Sequence, residues 1–512
     1  MRSGTFRFVA TAAAVVLVAA ACGGPSPTPA STAAPSLQTI GPSPSPTAGP
    51  ASSTGPTALS WSPSGLAQTA ELVVPLAPAN PSVGTITLTI ARRLAADPAH
   101  RFGALFGNPG GPGGSGVGIP GQPTLDRVIP QAILDRFDIV SWDPRGVGQS
   151  HGLTCPDTAT ATAIERLSPD PRTAADIGAY KTSFDALAAQ CQATAGDLLP
   201  YLAEANTARD MDAIRAALGE TTVSYLGWSY GTYLGYLYAR LFPSHLRAAV
   251  LDGPVNPALD LAGRDASQAR GFELAFEHFL ATCAAASQCP FHGGDDPAKA
   301  YDALIAKLER TPQGNYLNAG QAVLGTLAWL YGRDVPGLAT ALANTASGDG
   351  SMLRQAADSF FTDVSFGAYE AATCLDIPHP TSQSAIAVAA AAARQVSPRF
   401  GPSVALSDQY GCLDWPVPGP STGPAPSPLS GLPPILVVAG RWDPATPPWD
   451  PPILAKALGS GVVLMRDGLG HTSGESATTD ACLRGALVSY LVDGDVPPVG
   501  TVCTDGPAFS WP

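Results

Sequence analysis

Short apolar runs bounded by glycine, proline and aspartate recur along this chain, and helix-period stretches fall between them. Residues 71–76 and 85–90 alternate or run apolar around a Pro/Asn/Gly break, the pattern of a strand hairpin. Residues 103–106, 137–142, 223–228, 247–252, 434–439 and 462–465 are short and predominantly apolar, as strands covered on both faces are. Ala208, Met211, Ile214 and Leu218 recur at helical spacing, with Gly219 placed to end that helix. A second helix is expected from just after Ser229 to Arg240, and a third over 451–458. Alternation of strand, helix and strand predicts an α/β fold built on a mostly parallel, doubly wound sheet, with function at the carboxyl ends of its strands.

Between 258 and 430 the strand pattern stops. Phe272, Phe276, Phe279 and Leu280 mark one helix, and 301–308, 322–331, 338–343 and 386–393 read as others. The simplest organisation is a core of 57–257 and 431–512 interrupted by a helical lid, 258–430, with the Pro/Gly/Ser-rich stretch 411–434 returning the chain to the sheet. Residues 155–200 form a smaller helical excursion.

The amino end changes the picture of where the chain works. Arg2 and Arg7 precede an apolar stretch, 8–21, that is too short to span a bilayer. Small residues lead directly into Cys22, as in a bacterial lipoprotein signal, so 1–21 is expected to be removed and Cys22 lipidated; ordinary secretion is the alternative. Residues 22–56 are Pro, Ser, Thr, Ala and Gly with almost no charge, a tether that cannot bury a core. Eight further cysteines in an exported chain point to disulfides, and of the 105 possible pairings the sequential one is simplest: Cys155–Cys191, Cys283–Cys289, Cys374–Cys412 and Cys482–Cys503. No Cys/His cluster has metal spacing, and neither metal nor cofactor is expected. A net charge of −13 argues against nucleic acid. The expected partner is a peptide or small ester substrate, the expected state a monomer, and the expected membrane link only the lipid on Cys22.

The chemistry concentrates at three strand ends. The run 223–228 closes in Gly227-Trp228-Ser229-Tyr230-Gly231, and a helix follows. That strand–turn–helix context makes Gly-x-Ser-x-Gly a nucleophile elbow rather than a surface turn. Asp443 follows the apolar run 434–439, and His471, in Gly470-His471-Thr472, follows 462–465. The order Ser, Asp, His is that of an α/β-hydrolase triad: Ser229 attacks a carbonyl, His471 carries the proton, and Asp443 orients the imidazole. The amide of Tyr230 and one from 110–113, with Gly111 favoured, would hold the oxyanion. Asp252 is the runner-up acid and Asp467 a rival on the histidine loop. Asp143 and Arg145 suit a structural turn held by an ion pair. The glycine-rich run 107–116 lacks the spacing and lysine of a P-loop.

These motifs, with Asn108-Pro109-Gly110-Gly111-Pro112-Gly113-Gly114-Ser115-Gly116, Asp143-Pro144-Arg145-Gly146-Val147-Gly148-Gln149-Ser150, Leu251-Asp252-Gly253-Pro254 and Asp443-Pro444-Ala445-Thr446-Pro447, resemble the tripeptidyl-aminopeptidase branch of the α/β-hydrolases, related to prolyl aminopeptidases. The resemblance covers most of 57–510. It implies the α/β-hydrolase fold, Ser229, Asp443 and His471 as nucleophile, acid and base, and an oxyanion loop over 109–113. It also implies an exported serine peptidase of the actinobacterial lipoprotein type, which releases amino acids or di- and tripeptides from free N-termini. A substrate ammonium needs a carboxylate, and Glu370 and Asp376, flanking Cys374, are the candidates. Esterase chemistry on the same scaffold and a non-catalytic binding lipoprotein are the competing readings.

Overall fold

The computed structural model describes residues 59–504, apart from 293, 295, 315, 363, 364, 421–426 and 475. Cys22, the export signal 1–21 and the tether 22–56 lie outside the described residues. Ten strands form one sheet: β1 Ser62–Ser64, β2 Ala67–Pro75, β3 Thr85–Arg93, β4 Gly103–Asn108, β5 Phe137–Trp142, β6 Val223–Trp228, β7 Leu246–Asp252, β8 Ile435–Trp442, β9 Gly461–Leu469 and β10 Val502–Thr504. They lie side by side as β1-β2-β3-β5-β4-β6-β7-β8-β9-β10. The first three strands and β5 pair antiparallel; from β5 through β10 every pair is parallel. This is the α/β-hydrolase fold, with the expected hairpin as its antiparallel margin.

The central strands are apolar because both faces are covered. All six residues of β4 and of β5 are buried, as are the first five of β6. One core, around Leu134, Phe137, Leu226, Val250, Leu464 and Leu487, packs one face of the sheet. The other runs from Phe106 and Tyr225 through the helices Ala174–Ala195 and Leu261–Ala284 to Leu342 and Phe400 without a break. Among the described residues, eight α-helices between Leu261 and Leu413 therefore share a core with the sheet they interrupt, and they enter between β7 and β8. Within the helix Leu261–Ala284, a Cβ on Gly271 would lie 2.5 Å from the carbonyl oxygen of Pro444. Only glycine lets this helix settle on the loop after β8.

Three helices in this segment were not anticipated: Ser351–Thr362, Phe366–Asp376 and Gly401–Leu413. The last two are buried on nearly every side, so they carry no polar stripe to set a helical period. The last also runs through Gly411, which the proline- and glycine-rich composition assigns to the return loop. The short edge strands β1 and β10 were missed as well, being three residues each and partly exposed.

All four sequential disulfides are present: Cys155–Cys191, Cys283–Cys289, Cys374–Cys412 and Cys482–Cys503. Cys374–Cys412 ties Phe366–Asp376 to Gly401–Leu413, and Cys482–Cys503 fastens β10 under the last helix. The ion pair expected within the 143–150 turn has a different partner. Arg145 grips Asp210 with two hydrogen bonds of 2.7 and 2.6 Å, both side chains buried, and also donates to the carbonyls of Leu76 and Tyr201. Asp143 accepts instead from Ser115 and the amides of Val117 and Gln149. The two side chains thus lock separate loops to the sheet.

Candidate active site

Ser229 is the first residue after β6 and has φ 56°. A non-glycine side chain in this left-handed region is strained and persists only where its surroundings over-determine it. Here they do. The Ser229 amide donates to Asp252 O at 2.9 Å, and the Ser229 carbonyl accepts from the Thr232 amide and hydroxyl at 2.8 and 2.6 Å. A Cβ on Gly227 would sit 2.4 Å from Gly231 O, and one on Gly231 would sit 2.7 Å from Asn108 O. The two glycines of the pentapeptide therefore allow strand, turn and helix to close on one another. The helix Gly231–Leu241 begins directly behind the serine, with Tyr230 at its N-cap.

Gly110 brings the glycine-rich loop onto this elbow. Its backbone has φ 84°, and a Cβ there would meet Trp228 O at 2.4 Å and Tyr230 N at 2.7 Å. Gly111 follows and lines the same cleft as Ser229 and Tyr230. Among the described residues, neither the Gly111 nor the Tyr230 amide donates to a backbone carbonyl. Two N–H groups beside a serine, one at a helix start, suit a developing oxyanion.

Asp443 is the first residue after β8, and His471 lies two residues beyond β9. The Asp443 carboxylate faces His471 Nδ1 at 2.9 and 3.0 Å. It also accepts from the amides of Ala445, Thr446 and Thr472. Burial pushes this carboxyl up, but the opposing pull of His471 and the amides prevails, leaving Asp443 below the usual carboxylate range. His471 is held from the helical segment: its amide donates to Tyr331 O at 2.9 Å, and its ring meets Tyr331 edge-on at 5.1 Å. Arg466, fully buried, donates to the carbonyls of Leu469 and Gly470 just before it. His471 Nε2 is buried with no hydrogen-bond partner among the described residues. With Nδ1 committed to Asp443, Nε2 is the nitrogen left to accept a proton.

Ser229 and His471 both approach the carboxyl end of β7. Asp252, whose carbonyl receives the Ser229 amide, is followed by Gly253, where a Cβ would lie 3.1 Å from His471 Cε1. Asp252 itself does not face the imidazole. Its carboxylate accepts from the Ser473 amide at 2.9 Å and from the Ser473 hydroxyl, an anchor for the histidine loop. Asp467 pairs with Arg441 at 2.8 Å.

The lid acids part company. Asp376 accepts from the Tyr230 hydroxyl at 3.0 Å and from the Glu204 amide at 3.0 Å. It borders a cleft of about 330 Å³ that shares Tyr230, Val255, Asn256, Leu259 and Arg264 with the 390 Å³ cleft holding Ser229. Burial raises its carboxyl to about 7. Glu370 faces a different cavity, of about 750 Å³, walled by Phe184, Leu327 and Phe366 beside Glu165 and Asp408. Burial pushes Glu370 well up too. Sequence reasoning missed Arg264 and Gln268, buried on a helix whose apolar stripe was legible but whose inward polar residues were not, and Asp408, buried on the helix Gly401–Leu413 that was itself not anticipated. Polar positions within that stripe were the signal available.

Residues 104–321 match the family described as alpha/beta hydrolase fold, and residues 397–503 the family described as TAP-like protein. The chain is 32% identical to a protein of Mycobacterium tuberculosis named serine protease Hip1, over 85% of this chain and 86% of that one. It is 31% identical to a Streptomyces coelicolor protein named tripeptidyl aminopeptidase, over 79% of this chain and 77% of that one. A Mycobacterium tuberculosis protein named carboxylesterase B is 31% identical over 79% of this chain and 80% of that one.

Proposed function

The chain belongs to the tripeptidyl-aminopeptidase branch of the α/β-hydrolases, and from that premise we propose that this hydrolase is an exported serine peptidase releasing short peptides from free N-termini. The observation that carries the reading is the pairing of Asp443 with His471 Nδ1, which leaves Nε2 buried and without a partner among the described residues, while Ser229 is held in a strained turn at the end of β6.

Ser229 Oγ attacks the scissile carbonyl as His471 Nε2 takes its proton. Gly111 and Tyr230 donate their amides to the resulting oxyanion. His471 then protonates the departing amine, which leaves an acyl-enzyme. A water, deprotonated by His471, attacks that ester; the acid is released and the proton returns to Ser229. Asp443 keeps the imidazole in the required tautomer and stabilises its charged form. No metal or cofactor enters these steps.

Asp376 supports exopeptidase action because it borders a cleft that shares Tyr230, Val255, Asn256, Leu259 and Arg264 with the cleft of Ser229. Its carboxylate is the proposed partner of the substrate ammonium. Glu370 belongs to the neighbouring cavity and takes a secondary place. The helical segment 258–430 acts as the lid that supplies these groups. Cys22 is the proposed lipid anchor; Cys22→Ala is expected to release the protein from the membrane fraction. Four disulfides fit work outside the cytoplasm, and among the described residues no helix is long and apolar enough to cross a membrane.

A second reading, an esterase, is favoured by the similarity to the protein named carboxylesterase B. Reporter amides with and without a free amine, beside a short acyl ester, separate the two. The peptidase requires cleavage of the free-amine amides and rejection of their N-acetylated forms.

A further inference from the structure

On the wall of the Ser229 cleft, the helix Leu261–Ala284 presents Arg264 and Gln268, one turn apart. Each is only 6% exposed. The Arg264 Nη2 group is engaged, donating to Asp408 at 2.8 Å and to the Tyr369 hydroxyl at 3.4 Å. Its Nε and Nη1 groups have no partner among the described residues, and neither does Gln268 Oε1. Buried polar atoms without partners are rare because each forfeits its hydration for nothing. Three of them, on two side chains in one catalytic cleft, call for a ligand that supplies the opposite groups.

Their chemistry specifies that ligand. Arg264 offers donors and Gln268 offers an acceptor. Four residues of helix separate them by about 6 Å along the axis. In an extended peptide, one residue turns its own N–H and C=O to the same side, as in a hydrogen-bonded antiparallel pair. Two long side chains one turn apart on one helix face can present a donor and an acceptor to that main-chain pair. They do not match a hydrocarbon acyl group, which has nothing to give Gln268.

Position specifies which peptide residue. Arg264 also borders the adjoining cleft that contains Asp376. It therefore stands between the nucleophile and the carboxylate proposed to hold the substrate amine, on the acyl side of the cleaved bond.

We propose that Arg264 and Gln268 bind the main chain of the residue preceding the cleaved one, with Arg264 N–H groups donating to its carbonyl and Gln268 Oε1 accepting from its N–H. This rests on the peptidase reading and sharpens it. The enzyme's substrates are peptides with at least two residues on the acyl side, and main-chain contacts make it tolerant of their side chains.

The test compares kcat/KM for Ala-Ala-Pro and Ala reporter amides, an Ala-Ala-Pro reporter N-methylated on its second residue, and a short acyl ester. Wild type, Gln268→Leu and Arg264→Lys are used; lysine keeps a charge for Asp408 but loses the Nε and Nη1 donors. The subsite predicts that wild type prefers the tripeptide to the single aminoacyl amide. In each variant the tripeptide-to-ester ratio falls by about tenfold to a hundredfold. N-methylation weakens the tripeptide for wild type but no longer matters for Gln268→Leu, a comparison that needs no folded-state assumption beyond ester turnover. Equal losses on tripeptide and ester, or N-methyl discrimination that survives Gln268→Leu, would overturn the subsite. Serine-dependent ester cleavage by a wild type that leaves every peptide amide intact would instead overturn the peptidase reading beneath it.

Discussion

The Tyr230 hydroxyl donates a 3.0 Å hydrogen bond to the Asp376 carboxylate. One residue therefore offers its amide to the proposed oxyanion site and its side chain to the helical segment. The proposed amine clamp and the nucleophile are thereby fixed relative to each other. Asp376→Asn should raise KM for free-amine peptide amides at least tenfold while lowering kcat for a short acyl ester far less. Michaelis–Menten parameters on both substrates decide this; parallel losses in the two would assign Asp376 a purely structural role.

Asp443 holds His471 by one nitrogen only. Asp443→Asn preserves shape but lets the side chain donate to Nδ1, which favours the wrong tautomer. Turnover should fall about 10⁴-fold, as expected for a triad acid. Asp252→Asn should cost much less, because Asp252 anchors Ser473 and does not meet the ring. If the two substitutions reverse in severity, the acid has been misassigned.

Burial dominates at Asp376 and Asp408, raising each to about 7 against an unfolded value of about 3.9. The folded protein then keeps protons that the unfolded chain releases. Stability from these groups is fully present below about pH 4 and is lost as pH rises through about 7. Asp376→Asn removes one such group, so the fall in Tm between pH 5 and 8 should become shallower than in wild type. A steeper fall would show that the ionised form of Asp376 is the stabilised one.

Gly110 has no room for a side chain, since its Cβ would meet Trp228 O at 2.4 Å and Tyr230 N at 2.7 Å. Gly110→Ala should abolish turnover and lower Tm, because backbone on both sides must move and φ 84° is itself unfavourable for alanine. Gly118→Ala, with open space around it, is the control expected to leave both measurements near wild type.

How much of this was legible in the sequence followed physical logic. The buried strands stood out because both faces of β4, β5 and β6 are covered, leaving short unbroken apolar runs. Ser229, Asp443 and His471 could be placed because each directly follows or nearly follows such a run, so the unbroken apolar runs located them without any tertiary information. The helix Phe366–Asp376 was invisible for the opposite reason: enclosed on nearly every side, it has no polar face to mark its turns. Arg145 was read with a partner nearby in sequence, yet its partner is Asp210, 65 residues away. Arg264 and Gln268 were missed because an inward polar residue on an amphipathic helix looks like a surface residue until the packing is known.

Serine-dependent cleavage of peptides from a free N-terminus is decided by turnover of Ala-Ala-Pro, N-acetyl-Ala-Ala-Pro and short-acyl-ester reporters by wild type and Ser229→Ala. Wild type should cleave the free-amine tripeptide amide and spare its acetylated form, and Ser229→Ala should lose at least about 10⁴-fold in activity. Equal cleavage of the free and acetylated amides, cleavage of the ester alone, or peptide turnover that survives Ser229→Ala would contradict it.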